Sequence, residues 1–338
     1  MRAFARTTRL LVPLLWVSCA AAQTFFLPTP NRALFPPGAE EKFFAPTPGK
    51  TWLAGTFGCV RSDGHQIHEG IDILWTKRDS RGEPTDAVTA AAEGTVAYVN
   101  RKPGLSNYGN YVILRHRIEG LDICTLYAHL ASIRDGLDKG DKVKAGAALG
   151  IMGRTSNTKT RIAAERAHLH FEVAFVASDR YATWHETNFK GIRNDHGNWH
   201  GRNLLGLDPR ALLLRQTAEG GQFSLVRFVQ SQAELCRVLV RQADFPFARA
   251  HRPLVRANPA ADREGAAAYE IALNFNGVPR EIIPRTAAEV KSYAAKYHLL
   301  SVNDTEQRKH GCRGFLAAKA GKWELTPEGR QHLDLLFH

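Results

Sequence analysis

In the stretch RAHLHFEVAF, residues 166–175, two histidines stand two apart inside an otherwise apolar run. Leu169, Phe171 and Val173 read as a buried strand. On a strand, residues i and i+2 point to the same side, so His168 and His170 project together from one face and Glu172 follows on that face. A buried imidazole needs a partner to offset its lost hydration. Two imidazoles on one side can converge on a single metal ion. Alone, the pair also fits a structural or surface role, so its partners must be sought elsewhere in the chain.

Outward from this strand, residues 51 to about 176 are short apolar runs punctuated by glycine: GTVAYVN (94–100), YGNYVILRH (108–116), DICTLYAHL (122–130) and DKVKAGAALGIMG (141–153). Rich in Val, Ile, Tyr and Leu and bounded by Gly, Asp, Asn or Lys, they read as antiparallel strands with tight turns. KGDKVKAG (139–146) has the look of a hairpin, with Gly140 and Gly146 supplying unusual backbone angles. Residues 177–215 turn polar, aromatic and glycine-rich and read as a long irregular connection ending at Asp208-Pro209. From 222 onward the pattern mixes strand and helix signals. FSLVRFV reads as a strand, and Ser231 with Glu234 as a capping box opening a helix over AELCRVLVRQ. YEIALNF-NG-VPREIIP reads as a hairpin turning at Asn276-Gly277. Thr286 with Glu289 reads as a second capping box, opening a helix over AAEVKSYAAKYHLL. The expected fold is therefore mainly β. An antiparallel sheet or sandwich spans 51–215, and a smaller α+β domain without a ligand-like cluster spans 222–338. Residues 23–50, with six prolines, form an extended lead-in.

The N-terminus, MRAFARTTRLLVPLLWVSCAAAQ, has Arg2, Arg6 and Arg9, an apolar core from Leu10 to about Val17, and Ala20-Ala21-Ala22 as a cleavage site. That is the layout of an export signal over 1–22, too short to span a bilayer. Cys19 offers lipid attachment as a second processing route, but Trp16 suits it poorly. No other segment is long and apolar enough to cross a membrane. The formal charge of +12 over 338 residues is spread along the chain and suits a polyanionic partner. Export excludes nucleic acid as that partner, leaving an anionic membrane face or an acidic wall polymer, and it permits disulfides. The mature chain keeps Cys59, Cys124, Cys236 and Cys312, which allow three pairings. Cys59–Cys124 with Cys236–Cys312 would keep each bond inside one expected domain, but sequence leaves the choice open. None sits in a C-x-x-C pair, which disfavours a thiolate metal site.

Partners for the opening histidines exist. GHQIHEGIDI (64–73) carries His68 and Asp72 in an H-x-G-x-D arrangement, where Gly70 allows a close turn so that both can reach one ion. Imidazole and carboxylate are ordinary zinc ligands, and three protein ligands plus one open position define a catalytic site. LYAHLASI (126–133) adds His129 near a strand end. Taken in order, H-E-G-I-D, Y-A-H-L and H-L-H-F-E, with glycine-rich strands between, resemble the lysostaphin-type (LytM-like) zinc metallopeptidases, which are peptidoglycan endopeptidases. The resemblance covers roughly residues 52–176 and extends to AAAEGTVAYV, YGNYVILRH and GDKVKAGAALGIMG.

The resemblance implies zinc (Zn2+) on His68, Asp72 and His170, with His168 as catalytic base and His129 as the other catalytic histidine. Glu172 suits either a hydrogen bond behind an imidazole or a solvated packing edge. His65 is a weaker cleft candidate, and His116 reads as structural or cleft-lining. His185, His196 and His200 read as surface residues, although Trp184, Trp199 and Asn203 suggest that their segment walls one side of a groove. The implied protein is an exported zinc metalloendopeptidase, periplasmic or extracellular, cutting peptidoglycan cross-links or stem peptides. The lack of wall-binding repeats favours a D,D-endopeptidase in a periplasm. Two alternatives stand beside it: a non-catalytic relative that binds and activates other wall hydrolases, and a general protease of glycine-rich secreted proteins.

Overall fold

The computed structural model describes residues 24–158 and 162–338. The export signal expected over 1–22, with Cys19, lies outside the described residues. Among the described residues no helix is long and apolar enough to cross a membrane.

The strand His168–Val176 is the axis of the larger sheet. Along one edge it pairs antiparallel with Leu121–Ala128. Its other edge is shared: Ile71–Leu74 takes the first four residues and Leu204–Leu207 the last four. Beyond Leu121–Ala128 the sheet continues through Tyr111–Ile118, Gly94–Asn100 and Lys142–Val143. Period-two alternation splits the central strand by chemistry. Leu169, Phe171, Val173 and Phe175, each at most 1% exposed, enter the main apolar core. Each such side chain contributes about 1.5–3 kcal/mol through burial. The opposite face presents His168, His170 and Glu172 and then Ala174, which packs with Tyr111 and Cys124 in a smaller cluster.

Gly70 sits where the chain presses against this strand. A Cβ there would lie 2.3 Å from the Phe171 carbonyl oxygen. Only hydrogen fits, so Gly70 is what allows Ile71–Leu74, and Asp72 with it, to dock at hydrogen-bonding distance.

The described part of the expected extended lead-in, residues 24–50, packs into the core. Phe25, Phe43 and Phe44 are at most 1% exposed, and Phe44 bridges Ile73. The Phe25 N–H donates to Gln216 Oε1 at 2.8 Å, and Gln216 Nε2 donates back to the Phe25 carbonyl at 2.7 Å. Apolar area outweighs the prolines, which merely forbid regular structure. Nor is 177–215 irregular throughout. It holds a helix, Tyr181–Asn188, and the sheet strand Leu204–Leu207.

In the C-terminal half the hairpin at Asn276-Gly277 forms as expected, with Ala268–Leu273 paired to Pro279–Arg285 and Gly277 at φ 79°. The sheet order places Cys236–Val240 between Ala268–Leu273 and Tyr297–Val302. Three local expectations are reversed. AELCRVLVRQ supplies that central strand, because the slot between two strands outweighs its helix signal; Glu234 pairs with Arg237 at 2.9 Å instead of capping. FSLVRFV is a helix over Leu225–Gln230. Ser224 caps it, and Glu119, more than a hundred residues earlier, accepts the N–H groups of Leu225 and Val226 at 3.1 Å. The Thr286–Glu289 capping bonds do form, at 2.7 and 3.3 Å. The chain then runs through turns into the edge strand Tyr297–Val302, because that sheet needs the segment. KGDKVKAG is not a hairpin either: Lys142–Val143 pairs with Gly94 and Thr95, while Ala148–Ile151 joins a separate three-stranded sheet.

Both halves share one apolar core. Phe175 of the central strand meets Phe247 at a ring separation of 5.7 Å, and Asn276 Nδ2 donates to the Gly206 carbonyl at 2.8 Å. A disulfide, Cys59–Cys312, also joins them, whereas Cys124 and Cys236 are buried free thiols. The within-domain pairing considered from sequence is therefore corrected. Cys124 and Cys236 point into packed apolar clusters, while the hairpin carrying Cys59 lies against the C-terminal half.

Two outcomes are expected. Gly70→Ala should lower unfolding stability by about 1–3 kcal/mol, the usual cost of overpacking; an unchanged denaturant midpoint would contradict the close approach. A non-reducing digest should yield one cross-linked peptide pair carrying Cys59 and Cys312, with Cys124 and Cys236 alkylated only after denaturation. Any linkage through Cys124 or Cys236 would overturn the pairing.

Candidate metal centre

Three elements bring the first ligand candidates together. His68 ends the strand Gln66–His68, and Asp72 lies in Ile71–Leu74 directly across from His170 in register. His68 Nε2 is 3.1 Å from Asp72 Oδ1 and 3.1 Å from His170 Nδ1, and the Nδ1–Oδ1 separation is 3.0 Å. All three residues are at least 95% buried.

The outer contacts fix which atoms face inward. His68 Nδ1–H donates to the Thr56 carbonyl at 2.7 Å, leaving the Nε2 lone pair pointing at the cluster. His170 Nε2–H donates to Glu172 Oε1 at 2.9 Å, leaving Nδ1 inward. Tyr108 donates its hydroxyl to the same Glu172 oxygen at 2.6 Å. Glu172 is therefore a buried anchor behind an imidazole, not a solvated edge. Asp72 turns Oδ2 to the Arg61 guanidinium and Oδ1 to the histidines.

Two neutral imidazole nitrogens and a carboxylate oxygen thus converge with their lone pairs, while both ring N–H protons are committed elsewhere. Such a set suits a cation; the Arg61 guanidinium, with Nη2 3.1 Å from His68 Nε2, meets part of that demand, and the nitrogen–oxygen chemistry fits zinc. Without a metal, a proton fills that demand. Burial opposes the His170 imidazolium, but hydrogen bonds to Asp72 and Glu172 override it and push His170 up to about 10. Burial likewise works to raise Asp72, yet its contacts with the surrounding histidines, including hydrogen bonds with His170 and His68, hold it well below the carboxylate range.

His168 and His129 flank the cluster. His168 Nδ1–H donates to the Arg166 carbonyl at 2.7 Å, so Nε2 carries the lone pair and stands 3.5 Å from Asp72 Oδ1. His129 Nδ1–H donates to the Thr155 carbonyl at 2.8 Å. The two rings are 4.9 Å apart. Burial lowers His168, and burial lowers His129 to about 3, so both are neutral acceptors near pH 7. His129 holds this position at φ +62°, a left-handed conformation that costs a non-glycine residue about 1–3 kcal/mol.

The five residues line one cleft of about 1010 Å³. His65 reaches its rim, whereas His116 does not line it. His116 is buried, with Nδ1–H donating to the Glu93 carbonyl at 2.7 Å and Nε2 at 2.8 Å from the Thr125 hydroxyl. The surface assignment of His185, His196 and His200 is corrected. His185 and His196 are buried, and His196 and His200 line the cleft beside Trp184. Trp199 and Asn203 pack behind that wall, with Asn203 bonded to Ser178. Sequence reasoning missed Arg61, Tyr108 and a second wall from the C-terminal half that includes Arg313, Phe315 and His332. Arg61 reaches the site from the strand paired with Gln66–His68, whereas Tyr108 and the C-terminal residues arrive through long-range packing and the Cys59–Cys312 bond.

Residues 66–181 match Peptidase family M23. Solved structures with a similar segment include a candidate glycyl-glycine endopeptidase LytM from Ruminococcus gnavus, at 23% identity and TM-score 0.30, covering 45% of this chain and 48% of that one. The catalytic domain of the antimicrobial peptidase lysostaphin from Staphylococcus simulans is 21% identical, with TM-score 0.28, covering 48% of this chain and 87% of that one. A zinc-containing peptidase from Vibrio cholerae is 24% identical, with TM-score 0.23, covering 39% and 30%. This chain thus spans about half the length of the Ruminococcus protein. No curated protein matches the sequence.

Removing the carboxylate behind His170 should loosen the metal without touching a ligand. Glu172→Ala is expected to weaken zinc binding about 10–100-fold in a competition titration against a chromophoric chelator. Unchanged affinity would show that the Glu172–His170 bond does not support the site.

Proposed function

We propose that this chain, whose residues 66–181 form a peptidase family M23 domain, is an exported zinc endopeptidase that hydrolyses peptide bonds of peptidoglycan cross-links or stem peptides. The observation that carries this reading is the convergence of His68 Nε2, Asp72 Oδ1 and His170 Nδ1, within 4.8 Å of one another, with His168 and His129 beside them. When bound there, zinc supplies a Lewis acid that acidifies water and polarises a carbonyl.

The chain's own residues supply the rest. His168, neutral and with Nε2 free of other donors' demands, accepts a proton there from the attacking water and returns it to the leaving amine. His129 carries its proton on the Thr155 side, so its Nε2 accepts a water O–H and orients it; it is not placed to donate to an oxyanion. Arg61 fixes Asp72 through Oδ2, which directs Oδ1 to the metal locus. Glu172 holds the His170 ring through Nε2–H, and Tyr108 holds Glu172.

The N-terminal pattern supports export, and the excess of Lys and Arg suits a wall polymer bearing carboxylates. Within this reading the cross-link is the D,D bond, and the cell compartment is the periplasm or the outside. A purely binding relative has no need of a complete donor set with two flanking histidines, which weighs against the regulator.

The test separates ligand from base. His170→Ala should lose both zinc and the release of soluble muropeptides from purified sacculi. His168→Ala should retain stoichiometric zinc while turnover falls about 10²–10⁴-fold. Equal zinc loss in both variants would sink the assignment of roles, and zinc-loaded protein that releases no muropeptides would sink the enzymatic reading.

A further inference from the structure

Four arginines line the cleft. Two of them are engaged: Arg61 on Asp72, and Arg166 on the Pro46 carbonyl at 3.0 Å. The other two hold no carboxylate in an ion pair. Arg202 comes from the turn Gly201–Asn203, and Arg313 from the turn Gly311–Arg313 beside the disulfide. Among the described residues neither makes an ion pair or a side-chain hydrogen bond. Each lies over an aromatic ring instead, Arg202 on Phe189 at 4.7 Å and Arg313 on Phe315 at 5.2 Å.

Arg313 Nε is shut off from solvent with no acceptor, an unfavourable state for a charged donor. Burial lowers the Arg313 pKa; the charge of Glu69 works to raise it, while the positive charge of Arg202 lowers it, so the two guanidinium groups work against each other. Glu69 and Glu328 line the same cleft, yet neither pairs with these arginines. By contrast, Arg115, Arg237 and Arg285 each hold a carboxylate. Ring-backed guanidinium forks with free donors suit a planar carboxylate.

We infer that Arg202 and Arg313 form a carboxylate-binding subsite beside the metal centre, which takes a free carboxylate of the peptide lying in the cleft. The subsite rests on the peptidase reading for the kind of ligand it takes. One arginine comes from each half of the chain, and the Cys59–Cys312 bond holds the Arg313 turn at the cleft. The C-terminal half is thereby a specificity wall of the site.

The test is isothermal titration of the full chain carrying His168→Ala and loaded with zinc. The ligands are a cross-linked stem-peptide dimer ending in a free carboxylate and the same dimer ending in a carboxamide. The acid should bind about 10–100-fold more tightly, as charged hydrogen bonds of this kind give. Arg313→Gln and Arg202→Gln should each remove most of that preference while the amide binds as before, which also controls for folding. Arg313→Lys, which keeps the charge but not the fork, should retain part of it. Equal binding of acid and amide, or no binding of either, overturns the subsite. So does a preference that survives both Gln substitutions, since it would place the carboxylate on the metal. Hydrolysis by the unsubstituted chain separates the two proposals. Cleavage of both dimers with no acid preference removes the subsite alone. An intact acid preference without cleavage removes the peptidase reading alone.

Discussion

The structure turns on the antiparallel pairing of Ile71–Leu74 with the first residues of His168–Val176. That register sets Asp72 directly opposite His170, and it is possible only because Gly70 carries no side chain where it meets the Phe171 carbonyl. A slip of one residue would turn Asp72 into the core and Ile71 or Ile73 towards the cleft. Ile71 and Ile73, both fully buried, prevent the slip, because the same shift would turn them out of the core. Core packing and site geometry are two faces of one strand.

Around that pair, the polar groups form successive layers of constraint. Thr56, Glu172 and Arg61 orient His68, His170 and Asp72, and Tyr108 in turn secures Glu172. The Arg166 and Thr155 carbonyls choose the tautomers of His168 and His129. The cleft is then closed on one side by the segment 181–202 and on another by the C-terminal half, tied in at Cys59–Cys312. A chain that looked like a peptidase region followed by an appendage thus places both parts around one site.

The legible part of the fold lay where a residue's neighbours along the chain decide its environment. Alternation announced the strand His168–Val176, and Asn276-Gly277 announced its hairpin. The ordered motifs around His68, Asp72, His129, His168 and His170 pointed to residues that the structure brings into one cleft. What failed was every local helix or strand signal in the C-terminal half that tertiary context overruled. Leu225–Gln230 is helical in part because Glu119 caps it from a distant hairpin. Cys236–Val240 is a strand because two others flank it. The same limit hid Tyr108 and Arg313, whose places depend on packing partners far away in sequence, and it left the pairing of Cys59 open.

The central claim is that His68 Nε2, Asp72 Oδ1 and His170 Nδ1 hold one zinc ion while His168 stands free of it. Crystallographic anomalous scattering across the zinc edge, on protein reconstituted with one equivalent of metal, addresses this directly. The account predicts a single peak about 2.0–2.2 Å from those three atoms, with His168 Nε2 outside bonding distance. A peak bonded to His168 in place of His170, or one outside this cluster, would contradict it.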